Sequence, residues 1–310
     1  MQKGNYDLIE EIGGVEKSTG AKYDLICEVE KFNPFHGADG RFASASGYSS
    51  FTIRTKDPKK QHMADMAMAR MREQAASDGT TRVTNAENAM KSLVGSNVNL
   101  KGCDPDCAEE AVAAVKKVMD RYPIAKDAIK GITTDDVDDT FKNRDTIMAA
   151  YDNSTRMIHL NTKYYGNKTE FDKAVKESEE KKFHPEGLKS DSTIVHEIGH
   201  ALDHYVSEIT LGYREANFYG ERISTRKWNN DINAAKRKGE KVTTFTIRDS
   251  LSLYASKSPS EYFAEGFAEG MMSATPRKTA ASIMKHLDGY VKKAEAKLSQ
   301  PQPGVRLYNH

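Results

Sequence analysis

The chain has 310 residues, of which 38% are hydrophobic and 29% charged, with a mean hydropathy of −0.70. This length fits one large or two modest domains, and the polar composition predicts a soluble protein without a transmembrane segment. The 46 basic and 45 acidic residues leave a net charge of +1, so we expect neither nucleic acid nor a membrane as a partner.

The N-terminal third differs in character from the rest. Its first residues lack the basic and then apolar order of a secretory signal, so we expect synthesis in a cytosol without a signal peptide. The similar segments 6–9 and 23–26 predict two paired strands. They are followed by a loop rich in Gly, Ser and Ala over 31–47, a short strand over 49–55 and a helix rich in Met and Ala over 59–76.

A polar stretch over 77–88 predicts a linker, and we place the domain boundary within it. Residues 1–84 then form an N-terminal arm or small extra domain, for which we expect an attachment role. Residues 85–300 form the main domain, and 301–310 form a tail.

The three cysteines are an odd number, so no disulfide framework is predicted. Cys103 and Cys107 have no second Cys or His pair nearby at a zinc-site spacing, and we expect free thiols. Between them, Asp104 and Pro105 predict the N-cap and the first residue of a helix, which Pro123 then ends.

The remaining residues predict a hairpin followed by helices. The hairpin strands lie over 145–151 and 156–161, and the charged stretch 168–182 is a solvated helix or an insertion. Further helices cover 192–207, a basic stretch ending near 239, a stretch from 258, and 275–298. Few strands among many helices, without regular alternation, predict an α+β fold. The strand over 156–161 is a candidate edge strand for an extended substrate, and we expect its His159 to be a cross-strand partner and not a metal ligand.

The centre of the sequence argument is the HExxH run His196-Glu197-Ile198-Gly199-His200. Residues four apart lie on one helix face, so two imidazoles can reach one metal ion at about 2.0–2.1 Å from each nitrogen. Glu197, next to the first ligand, is placed to take a proton from activated water. We predict one Zn²⁺ per chain, with Glu197 as the general base. Gly199 predicts the close approach of a strand or a substrate backbone, because glycine lowers helix propensity by roughly 1 kcal/mol relative to alanine.

A catalytic zinc site needs a third protein ligand. The extended three-histidine pattern fails, because Asp203 and Val206 occupy the positions that it reserves for Gly and His. His204 is too far along the same helix to bind the ion, and we expect it to be a supporting or an exposed residue. Asp203, two turns from His196, is predicted to orient that imidazole through its other ring nitrogen.

A downstream carboxylate is the remaining source of the third ligand. Glu261, Glu265 and Glu269 share one face of the helix that starts at 258. Ser258 and Glu261 also fit a capping box, in which the glutamate would serve only the helix start. Spacing alone leaves Glu261 and Glu265 both open as the ligand.

The run HEIGHALDH followed by SLYASKSPSEYFAEGFAEG resembles the gluzincin peptidases of the anthrax lethal factor type, including relatives encoded by bacteriophages. The resemblance covers residues 143–272 and implies a zincin-like domain, a small mixed sheet packed on helices. It also implies Glu261 as the third zinc ligand, Tyr254 as the oxyanion-stabilising group and Glu265 as a supporting residue. The implied activity is that of an endopeptidase on a protein or peptide substrate.

The N-terminal arm carries a second resemblance. FNPFHGADGRFAS over 32–44 is similar to a segment of phage head-morphogenesis and capsid-associated proteins. This implies a phage or prophage protein made in a bacterial cytoplasm, then packaged in a virion or delivered, with phage head or portal components as partners of the arm. Three hypotheses follow: an active endopeptidase, a catalytically silent zinc-binding structural or cargo protein, and a hydrolase of other amides or esters. The intact Glu197 favours an active enzyme over a silent protein.

Overall fold

The computed structural model describes residues 25–26, 54–55, 58–135 and 146–300. The chain divides into two compact units, Met1–Arg82 and Val83–His310. The predictions for residues 6–9, for the loop over 31–47 with its phage-like segment, and for the tail lie outside the described residues.

In the first unit, strand β1 (Leu25–Ile26) pairs antiparallel with strand β2 (Arg54–Thr55). The sequence analysis had paired 23–26 with 6–9, whereas the described partner of Leu25 is Thr55. Both short strands fall inside segments that were predicted to be extended.

Helix α1 runs without interruption from Pro58 to Val94, so the predicted linker over 77–88 is wrong. The polar composition of that stretch lowers its helix propensity. Ala86 and Met90, one turn apart, are nevertheless buried in the core of the second unit. Tertiary packing of one helix face therefore outweighs the weak local preference.

The second unit contains a four-stranded sheet of order β3–β4–β6–β5, formed by Val98–Asn99 (β3), Gly131–Asp135 (β4), Ala149–Asp152 (β5) and Met157–Asn161 (β6). β3, β4 and β6 are parallel neighbours, and β5 is antiparallel to β6, which confirms the predicted hairpin. β4 covers the other side of β6, so the prediction that β6 is the edge strand is wrong. Within the described residues β3 and β5 are the two outer strands, and β5 is the one next to β6. His159 lies between Thr133 and Ala150 on the neighbouring strands.

The helices of this unit are α2 (Pro105–Arg121), α3 (Ala125–Ala128), α4 (Thr162–Tyr165), α5 (Lys168–Glu180), α6 (Ser192–Leu211), α7 (Tyr213–Phe218), α8 (Ile223–Arg237), α9 (Thr244–Ser250), α10 (Pro259–Met272) and α11 (Lys278–Leu298). A 3₁₀ turn, Tyr254–Ser256, precedes α10. A small mixed sheet with many helices is an α+β fold, as predicted. None of the helices in the described ranges combines the length and apolar character needed to cross a bilayer.

The helix starts predicted at Asp104 and Ser258 agree with the structure. Asp104 accepts a hydrogen bond from the Asp106 N–H, and Ser258 accepts one from the Glu261 N–H, each with proline as the next residue. Asp191 occupies the N-cap position of α6, but its side chain makes no capping hydrogen bond.

Cys103 and Cys107 are free and buried, as predicted. Burial raises the pKa of the Cys103 thiol to about 12 and also raises that of Cys107. Because the thiolate is the form that binds metals and attacks substrates, these protonated thiols have a packing role.

The core of the second unit is centred on α6 and α10. Ile194 and Ile198 from α6 and Phe263 and Phe267 from α10 are fully buried. Burying one such side chain contributes about 1.5–3 kcal/mol, so the two helices are held firmly against each other. The polar side chains on these two helices are therefore attached to backbone positions that the packing fixes.

Candidate metal centre

α6 and α10 approach each other closely at Gly199. A Cβ atom on Gly199 would lie 3.1 Å from Ala264 Cα and 3.1 Å from Phe267 Cδ1, closer than most real Cβ contacts. The predicted close approach is therefore confirmed, but the neighbour is the backbone of a helix and not a strand or a substrate. The small residues Gly199 and Ala264 set the distance between the two helices.

This contact brings three polar atoms together. His196 Nε2 lies 3.0 Å from His200 Nε2 and 3.0 Å from Glu261 Oε2, while His200 Nε2 lies 3.3 Å from the same oxygen. Three ligands at about 2.0–2.1 Å from a tetrahedral centre are about 3.3–3.4 Å apart. The three atoms thus have nearly the mutual spacing that a metal ion requires.

Within residues 58–135 and 146–300, no other group of three or more His, Cys, Asp or Glu side chains brings its ligand atoms within 4.8 Å of one another. The His196, His200 and Glu261 group could therefore bind a metal ion.

No family model matches the chain, and no curated protein matches it. Of the two carboxylates that spacing left open, Glu261 is the one that lies against both Nε2 atoms.

Glu265 lies behind His196. Its Oε1 is 2.8 Å from His196 Nδ1 and 3.0 Å from His184 Nδ1, and its Oε2 accepts a hydrogen bond of 2.7 Å from Ser252 Oγ. The His184 contact is aligned as a hydrogen bond, whereas the His196 contact is a close ion-pair contact with poorer alignment. Burial would raise the pKa of Glu265, but the charge and hydrogen bond of His184 and the bond to His196 bring it down to about 2.

The Nδ1 nitrogen of His200, which faces away from the cluster, also has a hydrogen-bond partner. It lies 2.9 Å from Oγ of Ser260, the residue before Glu261 on the first turn of α10. Each imidazole therefore has its Nδ1 close to an oxygen of the chain. A tautomer with the hydrogen on Nδ1 would direct each Nε2 lone pair at the cluster, as a metal ligand requires.

Asp203 does not contact His196. Its carboxylate accepts hydrogen bonds of 2.9 and 2.6 Å from the N–H and hydroxyl of Ser224, so it anchors the start of α8. The expected role of orienting His196 therefore does not fit its position, because the Asp203 side chain is directed at α8. His204 is buried, with Nε2 2.7 Å from Asn217 Oδ1, and takes no part in the cluster.

The charges of the cluster support one another. Burial alone would raise the pKa of the Glu261 carboxyl, but hydrogen bonds and charges from His196 and His200 hold it well below its ordinary value. Burial would lower the pKa of His196, yet its bonds to Glu261 and Glu265 raise it.

Glu197 is buried at the side of the cluster, and its position is fixed by the sheet. Its Oε2 accepts a hydrogen bond of 2.8 Å from the backbone N–H of Tyr151 in β5. The hairpin therefore contacts the helix at the candidate general base. This contact places β5 beside Glu197.

Tyr254 lies in the 3₁₀ turn before α10. The centroid of its ring is 5.8 Å from that of His196 and 5.1 Å from that of His184, and Lys257 Nζ lies 4.3 Å from the ring centroid. Burial and then the negative charge of Glu261 raise the pKa of its hydroxyl. Tyr254 therefore keeps its proton at neutral pH and is available as a donor.

Sequence reasoning missed four residues of this site: Tyr151, His184, Ser252 and Ser260. Ser260 could have been considered, because it lies next to Glu261 on the turn that Ser258 caps. His184 and Ser252 reach Glu265 from irregular segments, where no periodic pattern indicates direction. Tyr151 acts through its backbone N–H, so the identity of its side chain gives no signal of this contact.

Proposed function

We propose that this chain is a zinc-dependent endopeptidase of the gluzincin type, with a zincin-like arrangement of sheet and helices. The observation that carries the proposal is the convergence of His196, His200 and Glu261 beside Glu197. HExxH alone occurs by chance, whereas a glutamate from a second helix at ligand spacing is a much more specific combination.

Zinc would be held by His196, His200 and Glu261. Bound there, it would lower the pKa of water to about 7 and polarise the substrate carbonyl. Catalytic zinc sites typically have three protein ligands and one open position, whereas structural zinc sites have four protein ligands. The donor set of two imidazoles and one carboxylate suits Zn²⁺.

Glu197 is the general base in this proposal. Its carboxylate lies outside the ligand triangle and is anchored by the Tyr151 N–H, so it can accept a proton without leaving its position. It then delivers that proton to the leaving amine. Proton transfer of this kind contributes typically about 10²–10⁴-fold to a rate.

Tyr254 is the hydrogen-bond donor to the oxyanion. Its ring is fixed between His184 and His196, and its raised pKa keeps the hydroxyl protonated. A donor that is already in position before charge develops stabilises the transition state more than the ground state.

The outer strand β5 is the element to which we assign substrate binding, in place of β6. An extended peptide can add to an exposed strand edge through main-chain hydrogen bonds. The Tyr151 N–H to Glu197 bond places the side of β5 that faces away from β6 next to the base. A peptide aligned along this side would run past Glu197.

The association with phage particles stays a prediction from the sequence of residues 32–44. It leaves two roles for the peptidase, an effector directed at host proteins and a processing protease of the virion. A catalytically silent structural or cargo protein is the alternative.

The test is elemental analysis of the purified chain together with cleavage of a diverse peptide library. We expect about one zinc per chain and cleavage that a chelator abolishes. Glu197→Gln is the matched control: it should bind zinc but lose at least about 100-fold in kcat. Zinc binding without cleavage would favour the silent alternative, and cleavage that survives the Glu197 change would exclude this mechanism.

A further inference from the structure

The Glu265 carboxylate links two histidines. Its Oε1 lies between Nδ1 of His184 at 3.0 Å and Nδ1 of His196 at 2.8 Å. Glu265 is almost fully buried, so its orientation is determined by the groups that contact it. On the other side Ser252 Oγ donates to Oε2 at 2.7 Å, so each oxygen has its own partner.

His184 reaches this carboxylate from the segment between α5 and α6, which is tied to the Tyr254 turn. The Leu253 N–H donates to the Lys182 carbonyl and the Tyr254 N–H to the Phe183 carbonyl, each at 2.9 Å. The His184 ring also packs against Tyr254, with 5.1 Å between ring centroids. These contacts give a partly exposed histidine a defined position.

The proton arrangement follows from the chemistry of the two groups. An ionised carboxylate has no hydrogen to donate, so the His184 Nδ1 must carry the hydrogen of the bond to Glu265. The same carboxylate oxygen favours the hydrogen on Nδ1 of His196. His196 Nε2 is then left as a lone pair directed at His200 and Glu261.

We propose that His184 is a positioning residue of the metal centre, which fixes the Glu265 carboxylate so that it orients the His196 imidazole. This inference rests on the metal site of the proposed function and extends it to a residue outside the HExxH and glutamate motifs. Groups that contact a ligating histidine directly, as Glu265 contacts His196, typically change metal affinity by about 10–100-fold when they are removed, and the loss of His184 acts through that contact.

Two substitutions separate the hydrogen bond of His184 from its packing. His184→Phe keeps an aromatic ring against Tyr254 but removes the Nδ1 donor. His184→Asn removes the ring but can place an amide N–H at the position of Nδ1, because both atoms are bonded to Cγ. His184→Gln is a third variant, whose amide lies one bond further from the backbone and is not positioned for Glu265.

For the full-length chain and each variant, the zinc dissociation constant is measured by competition with a chromophoric chelator. The visible absorption of the Co²⁺-loaded protein then reports ligand geometry, and thermal unfolding of the metal-free protein reports packing. We expect His184→Phe and His184→Gln to weaken zinc binding by about 10–100-fold and to alter the cobalt spectrum. His184→Asn should retain affinity close to that of the unaltered chain, although it loses the ring contact.

Unchanged zinc affinity in the Phe or Gln variant would overturn the inference, as would equal weakening in the Asn and Phe variants. If the Phe variant does not fold, the comparison of Asn with Gln decides the question alone. Zinc affinity is measured without turnover. A chain that binds zinc tightly but cleaves nothing would therefore refute the peptidase proposal and leave the inference on His184 intact. A chain that binds no zinc would refute both.

Discussion

Replacing Gly199 by alanine tests whether the spacing between α6 and α10 is as tight as the structure indicates. In an open helix the change would stabilise the protein, because alanine is favoured over glycine by about 0.8–1.0 kcal/mol. Here the new Cβ would lie 3.1 Å from Ala264 Cα, a backbone atom that cannot move independently of its helix. Adding a methyl group to a filled core costs typically about 1–3 kcal/mol. The net expectation is a destabilisation of up to about 2 kcal/mol.

Gly289 provides the matched control. It is exposed in the interior of α11, and a Cβ atom there would meet nothing within 4 Å. Gly289→Ala should therefore raise stability by up to about 1 kcal/mol. The difference between the two variants, about 1–3 kcal/mol, isolates the steric contribution at Gly199.

The assay is thermal unfolding of the two variants, in which 1 kcal/mol corresponds to about 2–4 °C for a domain of 150–250 residues. Zinc affinity is measured alongside, and only Gly199→Ala should weaken it, because it shifts Glu261 relative to His196 and His200. If Gly199→Ala raised Tm as much as Gly289→Ala, the close helix contact and the argument built on it would be refuted.

The remaining predictions concern other parts of the site and the chain. Glu261→Gln should lower zinc affinity more than Glu265→Gln, because only Glu261 contacts both Nε2 atoms; the reverse order in a metal titration would make Glu265 the ligand. Tyr254→Phe should leave zinc and KM unchanged while lowering kcat by about 10²-fold, and an unchanged kcat would restrict Tyr254 to packing. Hydrogen bonds from Ser154 and Thr155 lower the pKa of Asp152 to about 2, so its stabilising effect is complete above the ordinary carboxyl pKa of about 3.9 and is lost as pH falls towards 2. Asp152→Asn should thus destabilise at pH 7 and have no effect at pH 2, as measured by urea unfolding. A chain shortened to residues 83–310 should still unfold cooperatively and bind zinc, since the core cluster begins at Ala86; loss of either in calorimetry or metal analysis would make the arm part of the core.

The sequence predicted best what depends on neighbours along the chain. The helix that carries His196 and His200, the caps at Asp104 and Ser258 and the hairpin over 145–161 each rest on residues a few positions apart, and all are found. The carboxylate that contacts both histidines was harder to predict from spacing, because Glu261 and Glu265 lie on the same helix face. Only the position of α6, the helix that faces them, distinguishes the two glutamates. The interval between residues along α10 does not reveal that position.

The errors have the same origin. Residues 77–88 are polar and were assigned to a linker, but they are helical, and Ala86 of this stretch is buried in the core of the second unit. Asp203 was expected to face His196 because seven residues correspond to nearly two turns, yet Ser224 offers it two hydrogen bonds from another direction. In both cases a contact that is distant in sequence decided the outcome.

The first turn of α10 combines two tasks. Ser258 caps the backbone N–H of Glu261, Ser260 holds His200, and the Glu261 side chain reaches both imidazoles. Helix ends usually fray, because their outermost amides lack partners within the helix. An ion bound by Glu261 would stabilise the first turn of α10, which is the turn that would otherwise unfold first. Amide hydrogen exchange at 260–262 would then slow on zinc addition while the C-terminal turn of α10 stays unaffected, so this helix end would act as a local reporter of metal occupancy.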